Sequence, residues 1–572
     1  MLVQRRDEGW EARMHDLVIR NAMICDGTGA PARVANLAVA HGRIVAIGDD
    51  RAAGREVIEA DGLVLAPGII DSHTHYDAQI TWDPFVGPSP ALGVTSVVIG
   101  NCGFTIAPCK PADRDLVMRN LTHVEGMSIE ALRTGIGWGF ETFPEYLDHL
   151  ERTGVGVNVA AFVGHSSIRT WVMGDDAARR PARADEIDQM RLLVLDAMAA
   201  GAIGFATSTS PSHNGENGIP MPSRLAAADE LRALVGALGE AGHGIFMLTK
   251  GGDTSIAFLE SLAAETGRPV MVAALLHNST NPSGVFDELD AIAAARSRGR
   301  MLYGQVSCCP LTLDFTLRSP YPFEGLAAWK PAMEAHGDAV KPILADPSFR
   351  AAIRRELEQP ATVRLFNGEW DKLHVVEVKL AANRAQEGKS IAELAAASGR
   401  DPLDCMLDLA LAENLDTTFT ALLLNSDEQA VGRLLLHPQS SIALSDAGAH
   451  LTFFCDAGFG LHLLGHWVRE RAIMSLEQAI KKLTSEPADI YGLRGRGRLV
   501  PGACADLLLF DPATVGRGPK QRVFDLPSGA PRLTTPACGV HGVWVNGVQV
   551  ADAKGLRPGR RPAGRVLRDG AP

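Results

Sequence analysis

The sequence predicts an α/β fold: a (β/α)8 TIM-like barrel with a small β domain assembled from both ends of the chain. Three observations predict it. Across residues 67–485, short apolar runs of strand length alternate with stretches whose apolar residues recur at three- and four-residue spacing, the pattern of successive parallel βα units. Histidine, cysteine and aspartate stand at the ends of several of those runs, where a barrel gathers its functional groups. Before and after this middle, the texture changes to period-two alternation broken by glycine and Asp-Gly pairs, the mark of antiparallel strands.

The elements follow in order. "DLVIRNAMICDG", "ANLAVAHGRIVAIGD" and "REVIEADGLVLAPG" read as strands within the first 65 residues, and "GRLVPGACADLLLFDP" and "GVHGVWVNGVQVADAKG" repeat that texture after Pro487. Residues 14–66 and 486–556 are therefore expected to pair into one β domain, with the barrel over 67–485. Its strands are expected in "LAPGIIDSHTH", "VTSVVIGNCG", "VNVAAFVGHSS", "AIGFATS", "GIFMLTK", "PVMVAALLH", "MLYGQVSCC" and "SIALSDAGAH". "DEIDQMRLLVLDAMAAG" and "ADELRALVGALGEAG" have the apolar spacing of helices between them. Residues 311–435 form an insertion between strands 7 and 8, with helix-like runs "DPSFRAAIRRELEQ" and "SIAELAAASGRDPLDCMLDLALAEN". On that face it would roof the barrel mouth.

Composition excludes several classes. The chain has 572 residues, 46% hydrophobic, and a net charge of −12, which argues against a nucleic-acid partner. No apolar run approaches the roughly 20 residues that span a membrane. The N-terminal segment is charged throughout and lacks a signal-peptide core. The nine cysteines are odd in number and scattered, as expected in a reducing cytoplasm rather than in a disulfide framework.

The chemistry starts at "IIDSHTHYDA", residues 69–78. Residues i and i+2 of a strand point to one face, so His73 and His75 would aim two imidazoles at one point. Such a pair is half of a metal site. Taken in order, the strand ends add Cys102, His165, Lys250, His277 and Asp446. Polar groups of this kind at apolar strand ends need a partner or an ion. Zinc accepts imidazole, thiolate and carboxylate ligands.

The front segment "LVIRNAMICDGTG…GRIVAIGD…VLAPGIIDSHTH" and the back segment "LVPGACADLLLFDP…VWVNGV" resemble the amidohydrolase superfamily. Within it, "GVTSVVIGNCGF", "EYLDHLERTGVGVNVAAFVGHSSIR" and "SDAGAH" resemble the N-acyl-D-amino-acid deacylase (D-aminoacylase) branch. The resemblance covers nearly the whole chain. It implies a β-sandwich from the two termini, one or two zinc ions at the strand ends, and hydrolysis of a linear C–N amide, an N-acyl amino acid or related N-acyl amide. It implies metal ligands at His73, His75, Cys102, His277 and Asp446. Asp446 would also be the general base that takes a proton from the attacking water and passes it to the leaving nitrogen. It further implies a small-molecule amide substrate and a chain able to form homo-oligomers, while charge and the lack of a long apolar run speak against nucleic acid and membrane.

Two departures from the branch pattern stand out. Its strand-five ligand histidine, in "T-H-x-R", is replaced by Lys250 in "FMLTKGGD". Lys250 is expected beside the metal, neutral or carboxylated. The branch lysine after the sixth-strand histidine and the strand-seven "D-x-Y-P-Y" are also absent, from "HNST" and "QVSCCPLTLDF". A substrate carboxylate would then fall to Arg224 in "PMPSRLA" or Arg169 in "HSSIR". His165, His213 and His450 are further substrate-binding candidates, and Trp82 and Phe85 could wall a pocket. Two alternatives stay open: a same-fold hydrolase of a non-amino-acid amide, carbamate, lactone or cyclic imide, and a non-catalytic binding protein on the barrel scaffold.

Overall fold

Eight parallel strands form one curled sheet: β1 (Ile69–Asp71), β2 (Val94–Ile99), β3 (Asn158–Gly164), β4 (Gly204–Ser208), β5 (Ile245–Thr249), β6 (Val270–Ala273), β7 (Leu302–Val306) and β8 (Ser440–Ile442). Each pairs with its sequence neighbour, and beyond the strand ends Thr74 bridges to Ala447, so the first strand meets the last. The computed structural model describes residues 14–568 apart from 49–52, 216–217, 253, 324, 336, 360, 362–363, 453, 558 and 560. The charged N-terminal segment discussed above lies outside these, up to residue 13.

The strands read as near-continuous apolar runs because both faces are covered. Every residue of β2 and β3 is buried, as in parallel sheets flanked by helices. The helices used below are α1 (Arg114–Val124), α2 (His165–Met173), α3 (Ala184–Ala199), α4 (Ala228–Ala241), α5 (Ile256–Thr266), α6 (Gly284–Ser297) and α7 (Ser485–Tyr491). The two helices read from sequence are α3 and α4. Helix α4 stops where Gly242 turns left-handed, with φ 78°.

A second sheet, of nine strands, is drawn from both ends of the chain. Leu507–Phe510 runs antiparallel to Val64–Pro67, with Leu507 opposite Pro67. The core of this sheet includes Leu17, Ile19, Leu37, Leu507 and Trp544.

The insertion differs from its sequence reading. Besides the expected helices it holds a three-stranded antiparallel sheet, ordered Leu311–Phe315, Thr418–Leu424, Leu373–Glu377. This sheet backs a separate aromatic core in which Phe323 stacks on Trp329 at 4.5 Å. No helix among the described residues is long and apolar enough to cross a membrane.

Candidate metal centre

The segment after β1 leaves the sheet with both imidazoles buried, His73 1% and His75 4% exposed. Each ring has a side-chain oxygen behind it at Nδ1. Gln305 of β7 places Oε1 2.6 Å from Nδ1 of His73, and Glu125, just past α1, places Oε1 3.1 Å from Nδ1 of His75. The Gln305 hydrogen bond keeps the His73 proton at Nδ1 and leaves its Nε2 lone pair free, as metal-binding histidines require, and the nearby Glu125 charge favours the same tautomer of His75.

Both Nε2 atoms face Cys102, whose Sγ lies 3.6 Å from that of His73 and 4.0 Å from that of His75. The "GNCG" turn makes this approach, with φ 57° at Cys102 and φ 75° at Gly103. A Cβ on Gly103 would stand 2.6 Å from the Ala206 carbonyl oxygen, so only glycine fits there. Asp77, on the histidine segment, accepts a bond of 3.0 Å from the Gly100 N–H and so ties the turn to that segment. Asp446 completes the group, with Oδ1 3.2 Å from Nε2 of His73 and 3.6 Å from Nε2 of His75. Its turn presses on the His75 backbone, where a Cβ at Gly448 would come within 2.7 Å.

The spacings of the two imidazoles and the thiolate suit one tetrahedral ion. Zinc–nitrogen and zinc–sulfur bonds of about 2.0–2.1 and 2.3 Å at a tetrahedral angle put the two donor atoms about 3.6 Å apart. Among the described residues, His73, His75 and Cys102 are the group whose donor atoms all lie within 4.8 Å of one another. Electrostatics agree. Burial would raise the Cys102 thiol, but His73 and His75 reverse this and hold it below its ordinary value. Burial likewise opposes ionisation of Asp446, and the two imidazoles again prevail, holding its carboxyl well below the usual carboxylate range. At Asp71 burial outweighs the hydrogen bonds from Ser445 and the His73 backbone and lifts its carboxyl to about 7.

The model of the amidohydrolase family (Amidohydro_3) matches residues 56–551. The chain belongs to the amidohydrolase family. An N-acyl-D-aspartate deacylase of Alcaligenes xylosoxydans xylosoxydans is 31% identical over 562 residues, covering 97% of this chain and 95% of that one. The solved N-acyl-D-glutamate deacylase of Bordetella bronchiseptica, in complex with zinc and a phosphonate inhibitor, is 26% identical and superimposes with a TM-score of 0.66, covering 97% of this chain and all of its own. A D-aminoacylase solved to define the role of its binuclear metal center is also 26% identical, with a TM-score of 0.65 over 97% of this chain and 100% of that chain.

In this amidohydrolase two expected ligands have other contacts. The Lys250 ammonium, beyond β5, forms an ion pair of 2.7 Å with Glu288 of α6. A carboxylated lysine would be an anion against that glutamate, so the pairing fits a charged amine. His277, beyond β6, is clamped through its backbone to the insertion: its N–H donates to Asn425 Oδ1 at 2.7 Å, and its carbonyl accepts from the Asn425 N–H at 2.9 Å. Its Nδ1 is buried without a hydrogen-bond partner.

The substrate-binding candidates divide in two. His165 is fully buried, and both ring nitrogens are engaged, by Thr207 at 2.7 Å and Glu230 of α4 at 2.8 Å. Arg169 is 0% exposed and pairs with the same glutamate. Both are thus committed to a buried triad and have nothing left for a ligand. His213, by contrast, is half-buried beside Phe104 at 5.0 Å, and its Nδ1 meets Ser208 Oγ at 2.7 Å. Burial pushes its imidazole down to about 4, with His450, His75, Glu125 and Asp446 close enough to act on it. Arg224, on the same loop, donates to the His213 carbonyl at 3.2 Å and to Asn214, and forms no ion pair with a described residue. His450 follows Asp446, and its N–H donates to the Glu125 carbonyl. Trp82 and Phe85 pack on Gly135 and Gly156, which makes them packing residues.

Glu125 and Gln305 were missed in the sequence reading. Gln305 had a signal, a lone amide in the apolar strand "LYGQV". Glu125 had little, since a charged residue after a helix is ordinarily solvated.

Proposed function

We propose that this amidohydrolase is a zinc-dependent deacylase that splits an N-acylated amino acid, of the D configuration, into carboxylic acid and amine. The reading is carried by three donor atoms within 4.8 Å of one another, His73 Nε2, His75 Nε2 and Cys102 Sγ, with Asp446 Oδ1 beside both imidazoles. The names of the deacylase relatives supply the substrate class.

Zinc bound by these residues would polarise the scissile carbonyl and make a water nucleophilic at neutral pH. The chain's own groups do the rest. Gln305 and Glu125 fix the two imidazoles with Nε2 forward. Asp446, ionised and with 21% of its side chain exposed, takes a proton from the attacking water and returns it to the departing nitrogen. Arg224, with no acidic partner among the described residues, receives the substrate carboxylate. His213, neutral at working pH, and His450 line the approach.

The domain reading rests on the insertion's own core and on the core of the terminal sheet; the main core spans the barrel and also takes in Val64, Leu508 and Val543 of the terminal segments. Residues 67–485 form a closed (β/α)8 barrel, 14–66 with 486–556 a composite β-sandwich, and 311–435 a roof that reaches the site through Asn425. Nine free cysteines support a reducing, cytoplasmic setting.

The test is turnover by the zinc-loaded chain of a panel of N-acetyl-D- and N-acetyl-L-amino acids, cyclic imides and lactones. Release of acetate from D-substrates, lost in Asp446→Asn, supports the reading. Turnover confined to imides or lactones would refute it.

A further inference from the structure

A cavity of about 380 Å³ opens at the opposite end of the barrel from the metal centre. Its walls include Ile203, which immediately precedes β4, and Arg565, whose carbonyl accepts from the Val159 N–H near the start of β3. The metal-centre residues follow the other ends of the strands, so a strand length of about 15–20 Å separates the two.

This cavity is unlike the rest of the surface. Five arginines line it, Arg43, Arg494, Arg496, Arg565 and Arg568, with Tyr491 at the end of α7, and no aspartate or glutamate does. The whole chain, by contrast, carries a net charge of −12. Three of the five are anchored from behind. Arg43 donates to the Gly502 carbonyl at 2.8 Å. Arg496 pairs with buried Asp506. Arg568 holds Asp148 at 2.6 Å and Glu151 at 2.9 Å. Arg494 and Arg565 are exposed and form no ion pair with a described residue. Carboxylates behind the wall offset Arg496 and Arg568, while Arg43, Arg494 and Arg565 have no carboxylate partner among the described residues and leave the concave wall positive, which favours an anion. A guanidinium fork matches the oxygens of a phosphate group bidentately.

We propose that this cavity is a binding site for a small molecule carrying two phosphate groups, with Arg494 and Arg565 as the two forks that grip them and the anchored arginines as the fixed positive wall. Its volume lies in the range of small-molecule sites and exceeds what a single inorganic phosphate would fill. Nothing in the deacylase reading uses these residues, so the site stands or falls independently of it.

The experiment is calorimetric titration of the full zinc-loaded chain at fixed ionic strength with a hexose bisphosphate, the corresponding monophosphate and the free hexose. The bisphosphate is expected to bind at one site per chain, and the monophosphate at least about tenfold more weakly, since a charge-assisted contact is lost. The free hexose should show no binding. Arg494→Gln with Arg565→Gln should weaken the bisphosphate by at least about tenfold, at an unchanged melting temperature in phosphate-free buffer. Equal binding by the double variant would put the phosphate elsewhere, on the metal for example, and overturn the proposal. So would the lack of any saturable signal beyond that of chloride at the same ionic strength.

Discussion

Glu125 Oε1 stands 3.1 Å from Nδ1 of His75, with both side chains buried. The carboxylate faces Nδ1 while Cys102 faces Nε2, and its charge favours a proton on Nδ1. Gln305 does the same for His73 at 2.6 Å. Replacing Glu125 with glutamine, or Gln305 with leucine, is expected to weaken zinc affinity by about 10–100-fold while leaving the fold intact, as loss of such outer partners does. Competition against a chromogenic chelator measures this directly. Unchanged affinity in both variants would mean that the rings are oriented by something else.

The triad of His165, Arg169 and Glu230 predicts an acid-sensitive fold. Burial raises the Glu230 carboxyl, but the hydrogen bond and charge of His165, with Arg169, outweigh it and hold it below its ordinary value. An unfolded glutamate titrates near about 4.3. The stabilisation is therefore complete above that pH and is lost as pH falls through the depressed folded value. His165 adds to this. Burial lowers its pKa, so the unfolded chain gains a proton first, and stability starts to decline once pH drops below about 6.5. Glu230→Gln leaves Arg169 buried and unpaired, and is expected to cost about 3–5 kcal/mol. Chemical denaturation between neutral pH and pH about 4 should show a steep loss in the wild type and a shallower one from a lower start in the variant.

Arg224 separates recognition from chemistry. Arg224→Ala should cut kcat/KM on N-acyl-D-amino acids by about 10–100-fold, the worth of a charge-assisted contact. Most of that loss should fall on KM, and uncharged N-acyl amides should be turned over as before. An equal loss on both substrates would place Arg224 in the fold of its loop rather than against the carboxylate.

Lys250 provides a control. Its ammonium is neutralised by Glu288, so Lys250→Ala should leave zinc content per chain unchanged and cost about 1 kcal/mol or less in stability, as for other partly exposed ion pairs. Loss of zinc in this variant, measured by elemental analysis, would return Lys250 to the metal.

Much of this was legible in the sequence, for identifiable reasons. The strands of the curled sheet are apolar runs closed by turn residues, and the His73–His75 pair follows from strand periodicity alone. Their convergence with Cys102 and Asp446 was available only through family resemblance, since nothing local shows that residues 102 and 446 meet. The strand of the insertion at Thr418–Leu424 alternates buried and half-buried residues along its length, yet it sits among helix-forming segments that dominate a windowed reading. His165 and Arg169 looked like ligand-binding groups because they follow a strand end. Their partner Glu230, 61 residues or more away in sequence, is what turns them inward. His277 likewise meets a distant residue of the insertion, Asn425, through its backbone.

The central claim is that His73, His75, Cys102 and Asp446 hold one ion, and cobalt(II) substitution tests it most directly. A thiolate ligand gives a charge-transfer absorption in the near ultraviolet that imidazole and carboxylate ligands do not. The account predicts this band at one cobalt per chain in the wild type and in Lys250→Ala, and its loss in Cys102→Ser. A band that is missing from the wild type, or that survives in Cys102→Ser, would contradict it.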